Sequence, residues 1–308
     1  MPPRIAVLGS LHLDILVNAP SRPRTGETLA GSRWWLQAGG KGGNQAAQAA
    51  RLGGDVYMIG RVGQDDFADK LLRSLTQAGV HTDYVFVDTT AGSGMSVAII
   101  EESGDYSAVI VSGVNKQIDT SDLERASSIL SSATCLVLQN EIPLETNWAA
   151  ARQAREAGVR VLLNAAPAYP MQPDHLALVD VLVVNEIEAE MLSGHPLQKP
   201  ADARAAAEAL LRQVNTVIIT LGGSGAWAAD RSGASFHVPG FRVPVVDTHG
   251  AGDAFIGALA VRLSLGDTLG EAVRYANAAG ALTCMVAGPQ PDSLSHASVQ
   301  QFLSNQGK

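Results

Sequence analysis

The chain has 308 residues, of which 46% are hydrophobic and 17% charged, a composition typical of a folded protein with a large core. Its 22 basic and 30 acidic residues give a net charge of −8, which argues against a general surface for nucleic acids or anionic membranes. Cys135 and Cys284 are too few and too far apart for a disulfide framework or a Cys-x-x-Cys zinc site. We expect no membrane span and no cleaved leader, and therefore a cytoplasmic protein.

Short apolar runs rich in β-branched residues alternate with segments of helical periodicity along most of the chain. Helices are predicted over about 65–79, 144–158, 251–265 and 269–286. Strands are predicted at 5–8, 56–59, 135–138, 159–163, 181–184 and 217–220. Because runs this continuously apolar suit strands that are covered on both faces, we predict an α/β fold with a doubly wound, mostly parallel sheet.

Two stretches interrupt this alternation and predict antiparallel strands. Segments 15–17 and 33–36 flank a connection rich in proline and glycine, and segments 96–100 and 108–111 flank the hairpin signal Ser103-Gly104. We expect a small antiparallel sheet, inserted as about 13–38 and about 94–112, within a single domain that spans residues 1–308.

A glycine-rich turn near residue 250 suits an anion. An apolar strand is predicted at Val245-Val246, and the turn Asp247-Thr248-His249-Gly250-Ala251-Gly252-Asp253 leads from it into an apolar helix. Small residues let backbone N–H groups converge at the helix start, where the helix dipole favours negative charge. Asp253 opposes such an anion unless it accepts a proton from a hydroxyl that attacks a bound phosphate. Alternatively, it is an ordinary acid in the first turn of a helix.

Four glycines surround Lys41 in a second such turn, Gly39-Gly40-Lys41-Gly42-Gly43-Asn44, which precedes an alanine-rich helix. This is not a Walker A loop, because Gly42 stands where that motif requires Ser or Thr. The turn suits close approach of a phosphate or a polyhydroxylated ligand, and the alternative is a flexible loop.

Three further polar clusters follow predicted strands. Asn185 and Glu188 share a helix face, which suits either Mg²⁺ held through waters or a helix cap. The turn 220–225 suits a nucleotide but lacks the dinucleotide pattern, and His12 and Asp14 form either a ligand-facing or a structural pair. Because doubly wound sheets bind ligands at the carboxyl ends of their strands, the clusters together predict a site there.

These motifs, in this order, resemble the ribokinase-like (PfkB) family of carbohydrate kinases over nearly the whole chain, and its ribokinase branch most closely. The Gly-Gly-Lys-Gly and Asp-Thr-x-Gly-Ala-Gly-Asp patterns carry the resemblance, with support from 238–243 and 288–291. It implies ATP-dependent phosphorylation of the terminal hydroxymethyl group of a small sugar, with D-ribose the first expectation. The alternatives are another sugar, a keto-sugar acid or a nucleoside as substrate, or a non-catalytic sugar-binding regulator.

The resemblance also implies roles for individual residues. Asp253 would be the catalytic base, beside an anion hole formed by Gly250, Ala251 and Gly252. The sugar would contact His12, Asp14, Gly40, Lys41, Gly42, Gly43, Asn44, Glu141 and Asp253. ATP and Mg²⁺ would contact Asn185, Glu188, Thr220, Gly222, Gly223, Ser224, Gly225, Gly252 and Asn277. K⁺ would lie near Asp247, His249, Thr283, Val286, Gly288 and Asp292.

The resemblance further implies that the small sheet is a lid over the sugar and the contact of a homodimer. The adjacent pair Trp34 and Trp35 lies in this segment. At one sugar position the chain departs from the pattern, because ribokinases carry Asn where this sequence has His12. An imidazole offers the sugar different hydrogen-bonding groups.

Overall fold

The computed structural model describes residues 1–103 and 105–306, which form two β-sheets and eleven α-helices. The strands are β1 (Arg4–Leu8), β2 (His12–Ala19), β3 (Arg33–Gly39), β4 (Asp55–Gly63), β5 (His81–Asp88), β6 (Gly94–Glu101), β7 (Tyr106–Val111), β8 (Cys135–Gln139), β9 (Arg160–Asn164), β10 (Val181–Val184), β11 (Thr216–Thr220), β12 (Gly225–Asp230) and β13 (Ser235–Pro239). The helices are α1 (Lys41–Arg51), α2 (Asp66–Gln77), α3 (Thr120–Arg125), α4 (Ser127–Ser132), α5 (Leu144–Glu156), α6 (Pro173–Leu176), α7 (Glu186–Ser193), α8 (Ala203–Leu210), α9 (Ala251–Ser264), α10 (Leu269–Cys284) and α11 (His296–Asn305).

The larger sheet has nine strands in the order β13-β12-β11-β10-β9-β8-β1-β4-β5. Its neighbouring strands are parallel except at the β11–β12 and β12–β13 pairs. The predicted α/β class and the mostly parallel sheet are therefore confirmed. The strand that follows β1 in this sheet, β4, lies on one side of β1, and β8 lies on the other. Because the connections leave β1 in opposite directions, a crevice opens at the carboxyl ends of β1 and β8.

Helices cover both faces of the larger sheet. Helices α1, α2 and α9–α11 contribute to the core on one face, with β1 side chains such as Val7, and α3–α8 contribute to the core on the other face, with Leu8. Successive side chains of a strand point to opposite faces, so a strand buried on both sides must be apolar at every position. This explains the continuous apolar runs of the sequence.

Small residues bring α1 and α9 together. A Cβ at Gly257 in α9 would lie 2.7 Å from the Ala49 nitrogen in α1. A Cβ at Gly42 would lie 2.7 Å from the Ser10 nitrogen, beyond the end of β1. Only glycine fits at both positions, so α1 packs closely on both α9 and the end of β1. The bonds from Asn44 and Gln45 to Asp253 join the starts of the two helices.

The smaller sheet has the order β3-β2-β6-β7. Its β2–β3 and β6–β7 pairs are antiparallel, as the sequence predicts. Strands β2 and β6 also pair in parallel, with Asp14 opposite Ser96, and this joins the two pairs into one sheet. Gly104, in the predicted hairpin turn, lies outside the described residues.

The predicted strand at Val245-Val246 is wrong. Both side chains are exposed, and the segment 241–250 is an irregular loop. The backbone N–H of Val246 donates to the Cys284 carbonyl at the end of α10, 2.8 Å away, and not to a strand. Two adjacent valines favour a strand locally, but tertiary contacts decide whether one forms.

Within the residues that the structure describes, no helix combines the length and the apolar character needed to cross a bilayer.

Candidate active site

A hollow of about 170 Å³ opens at the carboxyl edge of the larger sheet, beside the starts of α1 and α9. Its polar lining comes from turns that are far apart in sequence: Lys41, Asn164, Asn185, Glu188, Thr220, Gly250, Gly252 and Asp253. All of these except Asn164 are predicted site residues, and the structure brings them together. The signal for Asn164 is present in the sequence, since it directly follows the apolar run 159–163, as Asn185 follows 181–184.

Asp253 is the carboxylate of this hollow. It lies in the first turn of α9 and is only 9% exposed. Asn44 Nδ2 donates to Asp253 Oδ2 and Gln45 Nε2 to Oδ1, each at 2.9 Å. Burial raises the pKa of Asp253, although the Lys41 charge and the two amides oppose that shift. A carboxylate with a raised pKa, held by two donors, is suited to accept a proton from a substrate.

Lys41 supplies a positive charge to the same hollow. It is the first residue of α1, and burial alone would lower its pKa. Asp253, Glu141 and Glu188 outweigh that effect and raise the pKa of Lys41. The ammonium therefore stays charged at neutral pH.

The turn before α9 has the geometry of an anion-binding site. Gly250 caps the helix with a φ of 75°, in the left-handed region that favours glycine. A Cβ at this position would lie 2.4 Å from the Pro289 Cα atom. Gly252 has open space around its Cα, so an anion can approach the helix start closely.

Asn185 and Glu188 form the cap of α7. Asn185 Oδ1 accepts from the Glu188 N–H and Glu188 Oε2 accepts from the Asn185 N–H, both at 2.9 Å. Burial raises the pKa of Glu188, against the hydrogen bond from Asn185 and the Lys41 charge. The two residues therefore form a helix cap, one of the two alternatives that the sequence leaves open. The cap also holds both side chains at the hollow.

A second hollow of about 660 Å³ adjoins the first, and Asn185, Thr220, Gly252 and Phe255 line both. The predicted nucleotide residues Gly222, Gly223, Gly225 and Asn277 line it. It is also lined by four residues for which the sequence predicts no role in nucleotide binding: Phe241, Arg242, Thr248 and Cys284. Ser224 is not among the lining residues, and its carbonyl oxygen accepts from the Gly240 N–H at 3.2 Å.

Glu141, predicted to contact a sugar, holds the glycine-rich turn in place. Its Oε2 accepts from the Lys41 N–H at 3.0 Å and from the Ser10 hydroxyl. Gly40 offers no side chain to cap α1, so Glu141 caps this helix from a distant part of the sequence.

His12 and Asp14 lie on one side of β2, as their spacing predicts. Asp14 Oδ1 accepts from the Ser96 hydroxyl at 2.5 Å, and burial raises the pKa of Asp14. Burial lowers the pKa of His12, against the Glu141 and Asp14 charges, so its imidazole is neutral at neutral pH. His12 Nε2 is buried and has no hydrogen-bond partner.

The predicted K⁺ residues are only partly brought together. Asp247 Oδ2 accepts from the Gly288 N–H at 3.0 Å, and Oδ1 accepts from the His249 backbone and ring. These bonds outweigh burial and lower the pKa of Asp247. The Asp292 carboxylate is 97% exposed and pairs instead with Arg51 at 2.7 Å.

The other two predicted K⁺ residues are Thr283 and Val286. The Thr283 hydroxyl donates to the Ala279 carbonyl at 3.0 Å, and the Val286 N–H donates to the Thr283 carbonyl at 3.3 Å. Across the described ranges, no group of three or more His, Cys, Asp or Glu side chains is placed to hold a metal ion.

The smaller sheet contacts the glycine-rich turn before α9. The Tyr106 ring of β7 packs against the His249 ring, with centroids 4.9 Å apart. Tyr106 lies on the same face of this sheet as Asp14, because Tyr106 opposes Ile100 and Asp14 opposes Ser96. That face is therefore turned toward the site.

Comparison with known proteins gives a consistent result. The model of the pfkB family carbohydrate kinases matches residues 2–296. A deoxyribokinase of Salmonella typhi is 37% identical over 300 residues, which covers 97% of each chain. A ribokinase of Mus musculus is 35% identical over 291 residues, or 93% of this chain and 90% of its own. The structure of Arabidopsis thaliana ribokinase complexed with ribose and ATP matches with a TM-score of 0.91 and 32% identity, over 98% of this chain and 99% of that one.

Proposed function

The chain belongs to the pfkB family of carbohydrate kinases, and from this membership we propose that it transfers the γ-phosphoryl group of ATP to the terminal hydroxymethyl group of a pentose. D-Ribose is the first candidate substrate, supported by the ribokinase relatives. 2-Deoxy-D-ribose is the second, supported by the similar deoxyribokinase. The observation that carries the proposal is the Asp253 carboxylate, which shares one hollow with Lys41 and the glycine turn, beside a larger hollow of nucleotide size.

In the proposed mechanism the sugar hydroxyl gives its proton to Asp253 while the sugar oxygen attacks the γ-phosphorus of ATP. The bond between the γ-phosphorus and the bridging oxygen breaks, and ADP leaves with that oxygen. The backbone N–H groups at the start of α9 and the Lys41 ammonium stabilise the charge on the transferring group. Asn44 and Gln45 hold the Asp253 carboxylate in place for the proton transfer.

Two metal ions fit the chemistry of residues at the site. Asn185 and Glu188 offer oxygen atoms at the hollow, and through waters they would hold Mg²⁺, which neutralises phosphate charge when bound. Asp247, which stays ionised, and backbone oxygens near Gly288 would hold K⁺.

His12 gives a prediction about sugar selectivity. Its buried Nε2 lacks a partner in the structure, and a sugar hydroxyl would satisfy it. Because Asn presents a different donor and acceptor arrangement, we expect His12→Asn to change the ratio of kcat/KM for D-ribose to that for 2-deoxy-D-ribose by about tenfold. A coupled assay of ADP release, run with pentoses, hexoses, keto-sugar acids and nucleosides, measures this ratio and the substrate class.

His195→Asn, at an exposed position, is the control and should leave the ratio unchanged. An unchanged ratio in His12→Asn would remove His12 from the sugar site. Turnover of nucleosides in preference to all sugars would overturn the pentose proposal, and sugar binding without ATP turnover would indicate a regulator.

We also propose that two copies pair through the smaller sheet. One face of this sheet, the face opposite Asp14, exposes Trp34, Val97, Val109 and Val111. Several exposed apolar side chains on one face of a sheet are typical of a protein interface.

We expect Val109→Asp to weaken the dimer by about tenfold or more, because it places a charge in the apolar interface. Analytical ultracentrifugation over a range of concentrations measures the change. Val87→Asp, at an exposed valine of β5, is the matched control. A wild-type protein that stays monomeric at every concentration, or a Val109→Asp variant that dimerises normally, would contradict the proposal.

A further inference from the structure

Asn44 lies between the carboxylate of Asp253 and the amide of Gln290. Asn44 Nδ2 donates to Asp253 Oδ2 at 2.9 Å, and Asn44 Oδ1 accepts from Gln290 Nε2, also at 2.9 Å. Gln290 Oε1 in turn accepts from the Ser74 hydroxyl of α2 at 3.2 Å. Donation therefore runs in one direction, from Ser74 through Gln290 and Asn44 to the carboxylate.

The direction of donation along these hydrogen bonds matters because an amide can present either its oxygen or its NH₂ group. The Asp253 carboxylate needs a donor, and an oxygen turned toward it would be repelled. Gln290 donates to the oxygen of Asn44 and so leaves the NH₂ group for Asp253. The Ala38 carbonyl, 3.5 Å from Gln290 Nε2, can only accept and favours the same orientation of Gln290.

The loop that carries Gln290 is fixed by its neighbours. Gln48 Nε2 of α1 donates to the Pro289 carbonyl at 2.8 Å. The Gly288 N–H donates to Asp247, and Pro289 lies against Gly250 so closely that only glycine fits there. Gln290 does not line the hollow that contains Asp253, so its influence must pass through Asn44.

We propose that Gln290 is a positioning residue for phosphoryl transfer, which acts by fixing the orientation of the Asn44 amide and thereby the Asp253 carboxylate. The inference rests on the proposed role of Asp253 as the base. The charged groups that face Asp253 are Lys41 of α1 and Glu141, which follows β8. The side-chain hydrogen bonds of Gln290 go instead to Asn44, Ala38 and Ser74.

Two variants test this inference. Gln290→Met keeps the volume but removes the donor, and we expect kcat to fall about tenfold with KM for the sugar changed by about twofold or less. Gln290→Glu offers only acceptors, so the Asn44 NH₂ group turns toward it and the Asn44 oxygen faces Asp253. We expect a larger loss of kcat and a shift of the acid limb of the kcat/KM profile to higher pH.

A double-mutant cycle with Asn44→Ala separates positioning from a general structural effect. If Gln290 acts through Asn44, Gln290→Met adds no further loss in the Asn44→Ala background. Ser74→Ala removes one bond to Gln290 but not its donation to Asn44, and should keep kcat within about twofold of wild type. Thermal unfolding of each variant reports whether the fold is retained.

The outcomes distinguish this inference from the proposed function. Additive losses in the cycle, or Gln290→Glu with wild-type kcat and pH profile, would overturn the positioning role while leaving Asp253 as the base. Near-normal turnover by Asp253→Asn would overturn the role of Asp253 as the base, and a wild-type protein that phosphorylates no pentose would overturn the proposed function itself. If Gln290→Met does not fold, the Gln290→Glu profile decides the question.

Discussion

Asp253→Asn is expected to lower kcat by on the order of 10²–10⁴-fold, while ATP and sugar still bind. The change keeps the shape of the side chain but removes its ability to accept the hydroxyl proton. It also disturbs the local pairing, because Asn44 and Gln45 both donate to this group and the new amide has only one oxygen to receive them. Steady-state kinetics gives kcat, and isothermal titration calorimetry gives the affinities for both substrates.

The pH profile of the wild type provides an independent measurement. The base must be ionised, so kcat/KM should fall as the pH drops through the Asp253 pKa. Burial raises that pKa, so the fall should occur at a higher pH than for an ordinary carboxyl group. For the Asp253→Asn variant, Asp122→Asn is the control. Asp122 is also a buried aspartate, but it pairs with Arg61 at 2.8 Å and lines neither hollow. Near-normal turnover by Asp253→Asn would end the assignment of this residue as the base.

The sequence predicts the centre of the fold better than its edges. Runs such as 135–138 and 181–184 are apolar at every position because they lie inside the sheet, and both are strands in the structure. Strand β5 escaped prediction because it alternates half-buried and exposed positions at the sheet edge. Strands β12 and β13, on the opposite edge, were missed as well.

The same contrast holds for the site. Glycine turns and polar residues at strand ends predict which segments meet, because the carboxyl ends of parallel strands share one edge of a sheet. They do not predict which side chains touch. Gln45 donates to Asp253, and Gln290 donates to Asn44 from a loop nearly at the other end of the chain. The packing of α1 against α9 brings Asn44 and Gln45 to the carboxylate, and the loop after α10 brings Gln290 to Asn44.

Lys41 lies among acidic side chains at the hollow. Asp253, Glu141 and Glu188 all act on Lys41, so one cation faces three acids before any phosphate arrives. ATP adds further negative charge, and a partly buried site screens it less than water does. In the proposed mechanism Lys41 therefore has two roles: it stabilises the transferring phosphoryl group, and its charge opposes the rise of the Asp253 pKa that burial causes.

We expect Lys41→Met to lower kcat by on the order of 10²–10³-fold, since a preorganised charge at the reacting group contributes most in the transition state. The acid limb of the kcat/KM profile should also move to higher pH, because the Asp253 carboxylate loses the neighbouring charge that favours its ionised form. Lys70→Met, on the exposed face of α2, is the matched control and should change neither quantity. A Lys41→Met variant that raises only KM for the sugar, with kcat and the acid limb unchanged, would show instead that Lys41 binds the sugar and does not act on the phosphoryl group.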